Sequence, residues 1–316
     1  MKKLPITCYL LLFICLSLFT LNAASPVFSQ GFSLSISPPL LEAIMQPGKK
    51  ITHAYQVKNN SSSPITLIPH ISSFEPVGEQ GQTKIVKSQK IKVQSYENWF
   101  SFLNVNMSLD QPFTLAPNQD LQLVLKISLP QNAPEGDYYQ TLLLEQVSPG
   151  TNNQNNATQT LGTIGSNILL TVSQTGRPEK KAEIIEFVPK NALLGRFFDS
   201  FSNIQFNLRI KNTGKAFFKP IGEISIATDN LPLRPDNILA GTIRQVQCEN
   251  GSCQIKPPNI LGRYQAQLKF TLDENGASYE KTVSFWVLPI KLTIGIIIAI
   301  LLLYGILSLR KRRQKT

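Results

Sequence analysis

Few side chains in this sequence have both the type and the spacing for chemistry. Two cysteines stand in Cys248-Glu249-Asn250-Gly251-Ser252-Cys253. Asn250-Gly251 is a two-residue hairpin signal, because a type I′ turn needs positive φ at both central positions. Such a turn pairs Glu249 with Ser252 and sets Cys248 against Cys253 at a non-hydrogen-bonded pair, where strands come closest, within disulfide reach. A disulfide stapling a hairpin tip is expected. A redox pair or half a zinc site would want Cys-x-x-Cys or a histidine cluster, and the sequence has neither. Its two histidines are His53 and His70. His53 keeps step with Ile51, Tyr55 and Val57 on the apolar face of a strand and reads as a packed residue. Nucleophile-elbow, zinc-protease, phosphate-loop and calcium-loop motifs do not occur, and the acids are too scattered to nominate a glycosidase pair. These observations predict a protein that is not an enzyme and holds neither metal nor cofactor.

Three stretches have the composition for binding. Lys84, Lys87, Lys90 and Lys92 fall within nine residues of a predicted strand. They suit an anionic wall polymer, but lysines also protect an exposed edge strand from aggregation, and that plainer reading is preferred. Tyr96, Trp99, Phe100 and Phe102 can stack on sugars; four aromatics in seven residues is also how a β-sandwich fills its core, again the preferred reading. Leu193 to Phe201, less regular than its surroundings, suits the bilayer surface, a partner, or the end of a sandwich.

The elements that must position these residues follow period two. Leu121, Leu123, Leu125, Ile127 and Leu129 alternate with mostly polar neighbours, as do Ile204, Phe206, Leu208 and Ile210, and Tyr264, Ala266, Leu268, Phe270 and Leu272. This is the signature of strands with one face in a core. Turn signals such as Gln46-Pro47-Gly48 and Asn212-Thr213-Gly214 separate them. The pattern predicts an all-β fold of two tandem immunoglobulin-like β-sandwiches. The first covers residues 30–175, with 148–159 as a long loop between its last two strands. The second covers 180–288, after a polar linker.

Both ends read as membrane signals. Met1-Lys2-Lys3, the apolar run Ile6 to Leu21 and Asn22-Ala23-Ala24 form a signal peptide (1–24), cleaved near Ala23 or Ala24 or retained as an anchor. Leu292 to Leu309 carry no charge and would make a helix about 27 Å long, close to the thickness of a bilayer's hydrocarbon core. A transmembrane helix is expected over 289–309, with a basic cytoplasmic tail at 310–316 that fixes a single-pass type I topology in the plasma membrane. The net charge of +11 shrinks accordingly. Eight of the 31 basic residues lie at the two ends, leaving 23 against 20 acids in the exported part. That excludes nucleic acid as a partner by charge.

A series of motifs resembles the bacterial WxL-interacting proteins and related single-pass surface proteins. In the second sandwich it runs from Leu208-Arg209-Ile210-Lys211-Asn212-Thr213-Gly214 through Pro220, Gly222, Arg244 and Gly262 to Phe285-Trp286-Val287-Leu288-Pro289. In the first it includes Ser37-Pro38-Pro39, Gln46-Pro47-Gly48, Val57-Lys58-Asn59-Asn60-Ser61 and Leu129 to Tyr138. Leu239-Ala240-Gly241 departs from the Leu-Pro that relatives carry. The resemblance implies peptidoglycan binding by the first sandwich and partner contacts by the second. For the motif positions structural roles are expected: positive-φ turns at Gly48 and Gly214, and a strand edge at Pro220. The combined reading is a non-enzymatic, membrane-anchored surface scaffold contacting cell-wall polymer or another surface protein. Its alternative is an accessory subunit that meets partners through its helix, where Gly295, Ala299 and Gly305 offer small-residue contacts.

Overall fold

The computed structural model describes residues 34–86, 96–147, 160–257, 259–273 and 276–313. The signal peptide, Lys87, Lys90, Lys92, the loop 148–159 and the end of the basic tail lie outside these residues. In chain order the first strands are β1 (Leu34–Ser37), β2 (Leu40–Met45), β3 (Lys50–Asn59), β4 (Ile65–Val77) and β5 (Gln82–Val86). Then come β6 (Phe100–Phe102), β7 (Phe113–Leu115), β8 (Asp120–Ser128), β9 (Gly136–Val147) and β10 (Thr160–Val172). The second half holds β11 (Ala182–Lys190), β12 (Phe197–Asp199), β13 (Ile204–Asn212), β14 (Ile221–Ile226) and β15 (Asp229–Pro232). It ends with β16 (Ile243–Gln245), β17 (Gln254–Ile255), β18 (Gly262–Thr271), β19 (Tyr279–Leu288) and the helix α1 (Ile290–Arg313).

These strands build two sandwiches of one repeated topology. The first half pairs β1-β3-β8-β6 in one sheet and β2-β10-β9-β4-β5 in the other, with β7 beside β4. The second pairs β11-β13-β16 and β12-β19-β18-β14-β15, with β17 beside β13. In both halves the second strand crosses to the opposite sheet and runs parallel to the last strand, β2 on β10 and β12 on β19. All other ladders are antiparallel.

The alternation seen in the sequence is the alternation of burial. Along β13, Ile204, Phe206, Leu208 and Ile210 are buried while Gln205, Asn207, Arg209 and Lys211 stay half-buried on the other face. Tyr55, Val57, Leu123, Leu125 and Ile127 meet Leu67, Leu142, Leu144, Ile168 and Leu170 in the first core. Phe206, Leu208 and Ile210 meet Ile224, Leu268, Phe285 and Val287 in the second, and no residue belongs to both cores. At roughly 1.5–3 kcal/mol per buried large apolar side chain, each core supplies a large opposing term to chain entropy.

Cys248 and Cys253 are bonded, their Cα atoms 4.9 Å apart. The expected type I′ hairpin is not the geometry that joins them. Asn250 has no positive φ, whereas Gly251 has φ +90°, and Gly251 N–H donates to the Cys248 carbonyl at 2.9 Å. The turn therefore spans Cys248 to Gly251. Its flanks pair elsewhere, Cys248 bridging Leu233 and β17 pairing β13, because the core draws both cysteines inward.

β19 passes through Pro289 directly into α1, whose Ile290–Ser308 stretch is long and apolar enough to cross a membrane and has no buried portion. Pro289 stands one residue before the helix, and its carbonyl accepts Thr293 N–H at 2.9 Å. The start of α1 is braced from the side. Asp199 at the end of β12 accepts Lys291 N–H at 3.0 Å, Phe201 N–H at 3.2 Å and the Ser202 hydroxyl at 3.2 Å. Burial pushes the Asp199 carboxyl up, but these donors outweigh it and hold the group below the usual carboxylate range.

Candidate functional site

Two buried asparagines organise matching corners of the sandwiches. Asn59 closes β3, and its amide donates to the Ser63 and Ala116 carbonyls, both at 2.9 Å, while its Oδ1 accepts Ser61 N–H at 2.9 Å. Asn212 closes β13 in the same way. Its amide donates to the Ala216 carbonyl at 2.9 Å and the Ile238 carbonyl at 2.8 Å, and its Oδ1 accepts Gly214 N–H at 2.9 Å. Both side chains are fully buried, so each amide satisfies carbonyls that water cannot reach. Asn212 thereby fixes the loops carrying Phe217 and Leu239, which face the first sandwich.

Those loops close a polar and apolar junction between the two halves. Its apolar part packs Phe74, Leu169 and Leu239 with Ile85, Tyr139 and Phe217. Its polar part centres on Tyr139, which donates to Asp137 Oδ2 at 2.7 Å and accepts Ala240 N–H at 2.8 Å. Asp137 also accepts Phe217 N–H at 2.6 Å and the Thr171 hydroxyl at 2.5 Å. Burial raises the Asp137 carboxyl, partly offset by those donors; burial, then the neighbouring Asp137, raises the Tyr139 phenol. At the rim, Glu42 accepts from Lys219 at 2.8 Å and from Asn237 at 2.5 Å. The tip of the β4–β5 hairpin reaches the other sandwich through Glu79. Its carboxylate is gripped by both Arg209 Nε, at 2.7 Å, and Arg209 Nη2, and its carbonyl accepts Gln245 N–H at 2.8 Å. The Arg209 guanidinium holds Glu79 below the ordinary glutamate range.

This junction frames a cleft of about 230 Å³ whose lining includes Phe74, Pro76, Gly81, Thr83, Asn237, Leu239 and Arg244. Asn237 and Arg244 each carry a buried polar atom, Oδ1 and Nε, with no hydrogen-bond partner among the described residues. The cleft thus combines apolar residues such as Phe74 and Leu239 with polar ones such as Thr83, Asn167 and Asn237, a composition suited to a short polar segment of a larger ligand.

Of the candidate binding residues and matched motif positions singled out by sequence only Arg244 lines this cleft, and the other described ones are dispersed over both sandwiches. Arg244 pairs with Asp236 at 3.4 Å and lies against Gly81, where a Cβ would fall 1.9 Å from Nη1. Lys84 is exposed on β5, at an edge of its sheet. Tyr96 and Trp99 form a three-ring group with Tyr138, their centroids 4.6–4.9 Å apart, and Trp99 belongs to the first core. His53 is half-buried edge-on to Tyr55 at 4.8 Å, and His70 Nδ1 lies 2.5 Å from Asp110. Trp286 projects outward between the buried Phe285 and Val287. Gly262 lies against the Tyr264 ring.

Two glycine and proline expectations need correction. Gly48 has φ +76°, but Gly214 has no positive φ; its requirement is close approach, since a Cβ there would lie 2.6 Å from Lys181 N. Pro220 immediately precedes β14, which is flanked by β18 and β15, so it marks a strand entry and not a sheet edge. Gly222 is forced by packing: a Cβ would fall 2.1 Å from the Lys269 carbonyl. Among the described residues no group of three or more His, Cys, Asp or Glu could hold a metal ion.

Sequence reasoning missed the junction. Its signal was present in Ile168-Leu169-Leu170, three consecutive apolar residues where alternation should hold. Such a run marks a strand covered on both faces.

No family model matches this chain, and no curated protein matches it. Among solved structures it is similar to the class 5 fimbriae chaperone CfaA, at 11% identity and TM-score 0.38 over 81% of this chain and 99% of that one. The E. coli chaperone DraB matches at 13% identity and TM-score 0.36 over 80% and 98%. A protein of unknown function from Porphyromonas gingivalis W83 matches at 14% identity and TM-score 0.30 over 81% and 99%. Similarity at this level carries no reading of function.

Proposed function

We propose that this protein is a non-enzymatic binding scaffold, anchored in the plasma membrane by α1 with its sandwiches outside, and that it contacts cell-wall peptidoglycan or another surface protein. The observation that carries this reading is the uninterrupted passage of β19 into α1, which makes the apolar helix an extension of a folded sandwich. Two further features support it. The junction couples the two immunoglobulin-like sandwiches, so a ligand held at one is held relative to the membrane. The motif series from Asn212 to Trp286 resembles WxL-interacting surface proteins, and within it Asn212 is fully buried while Gly214 and Gly222 leave no room for a Cβ.

The test is co-sedimentation of the detergent-solubilised full-length protein with purified peptidoglycan at low salt. Binding is expected, weakened by Thr83→Trp, which fills the mouth of the cleft from an exposed position on β5. Absence of co-sedimentation would remove peptidoglycan as the ligand. Binding unaffected by Thr83→Trp would remove the cleft as the place where it binds.

A further inference from the structure

The end of the second sandwich nearest α1 carries a ring of uncovered apolar side chains that the binding reading leaves unused. Phe201, Ile260, Leu261 and Trp286 are 60%, 59%, 65% and 43% exposed. They come from three separate segments, and the ladders bring them to the end of the sheet that leads into α1. Asp199 pairs with Leu288, and Ser200 N–H donates to the Leu288 carbonyl at 3.0 Å, so Phe201 lies beside the entry to α1. Gly262 pairs with Val287, so Ile260 and Leu261 lie beyond it on the same side. The Ser200 hydroxyl donates to the Ile260 carbonyl and ties the two loops together. Trp286 is level with Phe197 and Arg263 on the outward face of its sheet.

The charge around this ring is net positive, although Lys291 Nζ lies 3.4 Å from Asp199 Oδ2. The segments 196–203, 256–264 and 284–293 contain Arg196, Lys256, Arg263 and Lys291 and a single acid, Asp199. Asp199 is turned inward onto the start of α1. Scattered exposed apolar residues need no explanation, but four gathered at the foot of a membrane-length helix and rimmed by cations do. Trp and Phe with Lys or Arg are the residue types that favour the headgroup level of a bilayer.

We propose that Phe201, Ile260, Leu261 and Trp286 form a collar seated in the headgroup and upper acyl region of an anionic bilayer, fixing the tilt of the second sandwich on the membrane. The collar deepens the anchoring part of the proposed function and rests on α1 spanning the membrane. It excludes Leu194, although this residue is also exposed. Leu194 follows Leu193, which bridges Phe197 at the level of Trp286, and its turn precedes β12, so it lies on the side of that level away from the helix.

Tryptophan quenching tests the collar. Full-length protein is reconstituted into vesicles of phosphatidylcholine and phosphatidylglycerol brominated either near the glycerol end or near the acyl terminus. Wild type is compared with Trp286→Phe, and with Phe201→Trp, Leu194→Trp and Ile298→Trp placed in that background. The signal lost in Trp286→Phe, and the signal gained in Phe201→Trp, should be quenched more by the shallow bromines. Ile298→Trp should be quenched more by the deep ones, and Leu194→Trp by neither. If Ile298→Trp is quenched while Trp286 and Phe201→Trp emit as in water, the collar is overturned and the span stands. If Ile298→Trp is not quenched, the span is overturned and the collar with it. Equal quenching in phosphatidylcholine alone overturns the anionic preference. All replaced side chains are exposed, so circular dichroism of each variant should match wild type.

Discussion

Asn59 and Asn212 are single residues on which a whole corner of each sandwich depends. Each donates to main-chain carbonyls and accepts a main-chain N–H two residues on. Replacement by Ala leaves those groups buried without partners, at about 1–3 kcal/mol apiece, partly relieved by relaxation. Asn212→Ala is therefore expected to lower unfolding free energy by about 2–4 kcal/mol in urea titration, with Asn59→Ala comparable. Asp would be a poor replacement, because a carboxylate cannot donate to the carbonyls. Tyr139→Phe keeps the ring packed on Phe74 but strands Ala240 N–H. A loss of about 1–3 kcal/mol is expected in the same measurement.

Elements carry the coupling between the halves, the β4–β5 hairpin foremost. Glu79 is held below its ordinary range by Arg209. Its contribution is thus complete above the unfolded glutamate value of about 4.3 and is lost as pH falls through the lower folded value. Protection of the Gln245 amide, which donates to the Glu79 carbonyl, is expected to fall across that acid window and to lose the pH dependence in Glu79→Gln. The loop at Leu239-Ala240-Gly241 is the second coupling element. Ala240→Pro removes the N–H that Tyr139 accepts; weaker protection at the junction is expected by hydrogen exchange, with both cores intact. The strands themselves were legible in the sequence, because one-sided burial writes itself as alternation, as in β8, β13 and β18. The cleft was not legible. Its parts, Phe74, Thr83, Leu169, Asn237 and Arg244, lie far apart in the chain, and only the register of the sheets and the corner built on Asn212 bring them together. The turn at Cys248 to Cys253 was misread because local turn preference yielded to the pull of both cysteines into the core.

For the molecule as a whole, two separate cores predict two unfolding units, and the junction decides whether they melt together. Phe74, Leu169 and Leu239 are nearly fully buried there, at roughly 1.5–3 kcal/mol each, which is of the order needed to merge two transitions. Calorimetry is expected to show one main transition in the wild type and two in Tyr139→Phe combined with Ala240→Pro. Reduction of the disulfide should move only the transition of the second sandwich, since both cysteines belong to its core. Its six-residue loop corresponds to about 2 kcal/mol of chain entropy. The entry of β19 into α1 has a mechanical consequence as well. Nine register pairs link β19 to β18, and β12 flanks its other edge. A pull between the membrane and a ligand on the first sandwich would therefore load those hydrogen bonds in shear, many at once, and not peel them singly. Single-molecule stretching from the C-terminal end should find the second sandwich yielding abruptly at high force, as a clamp would.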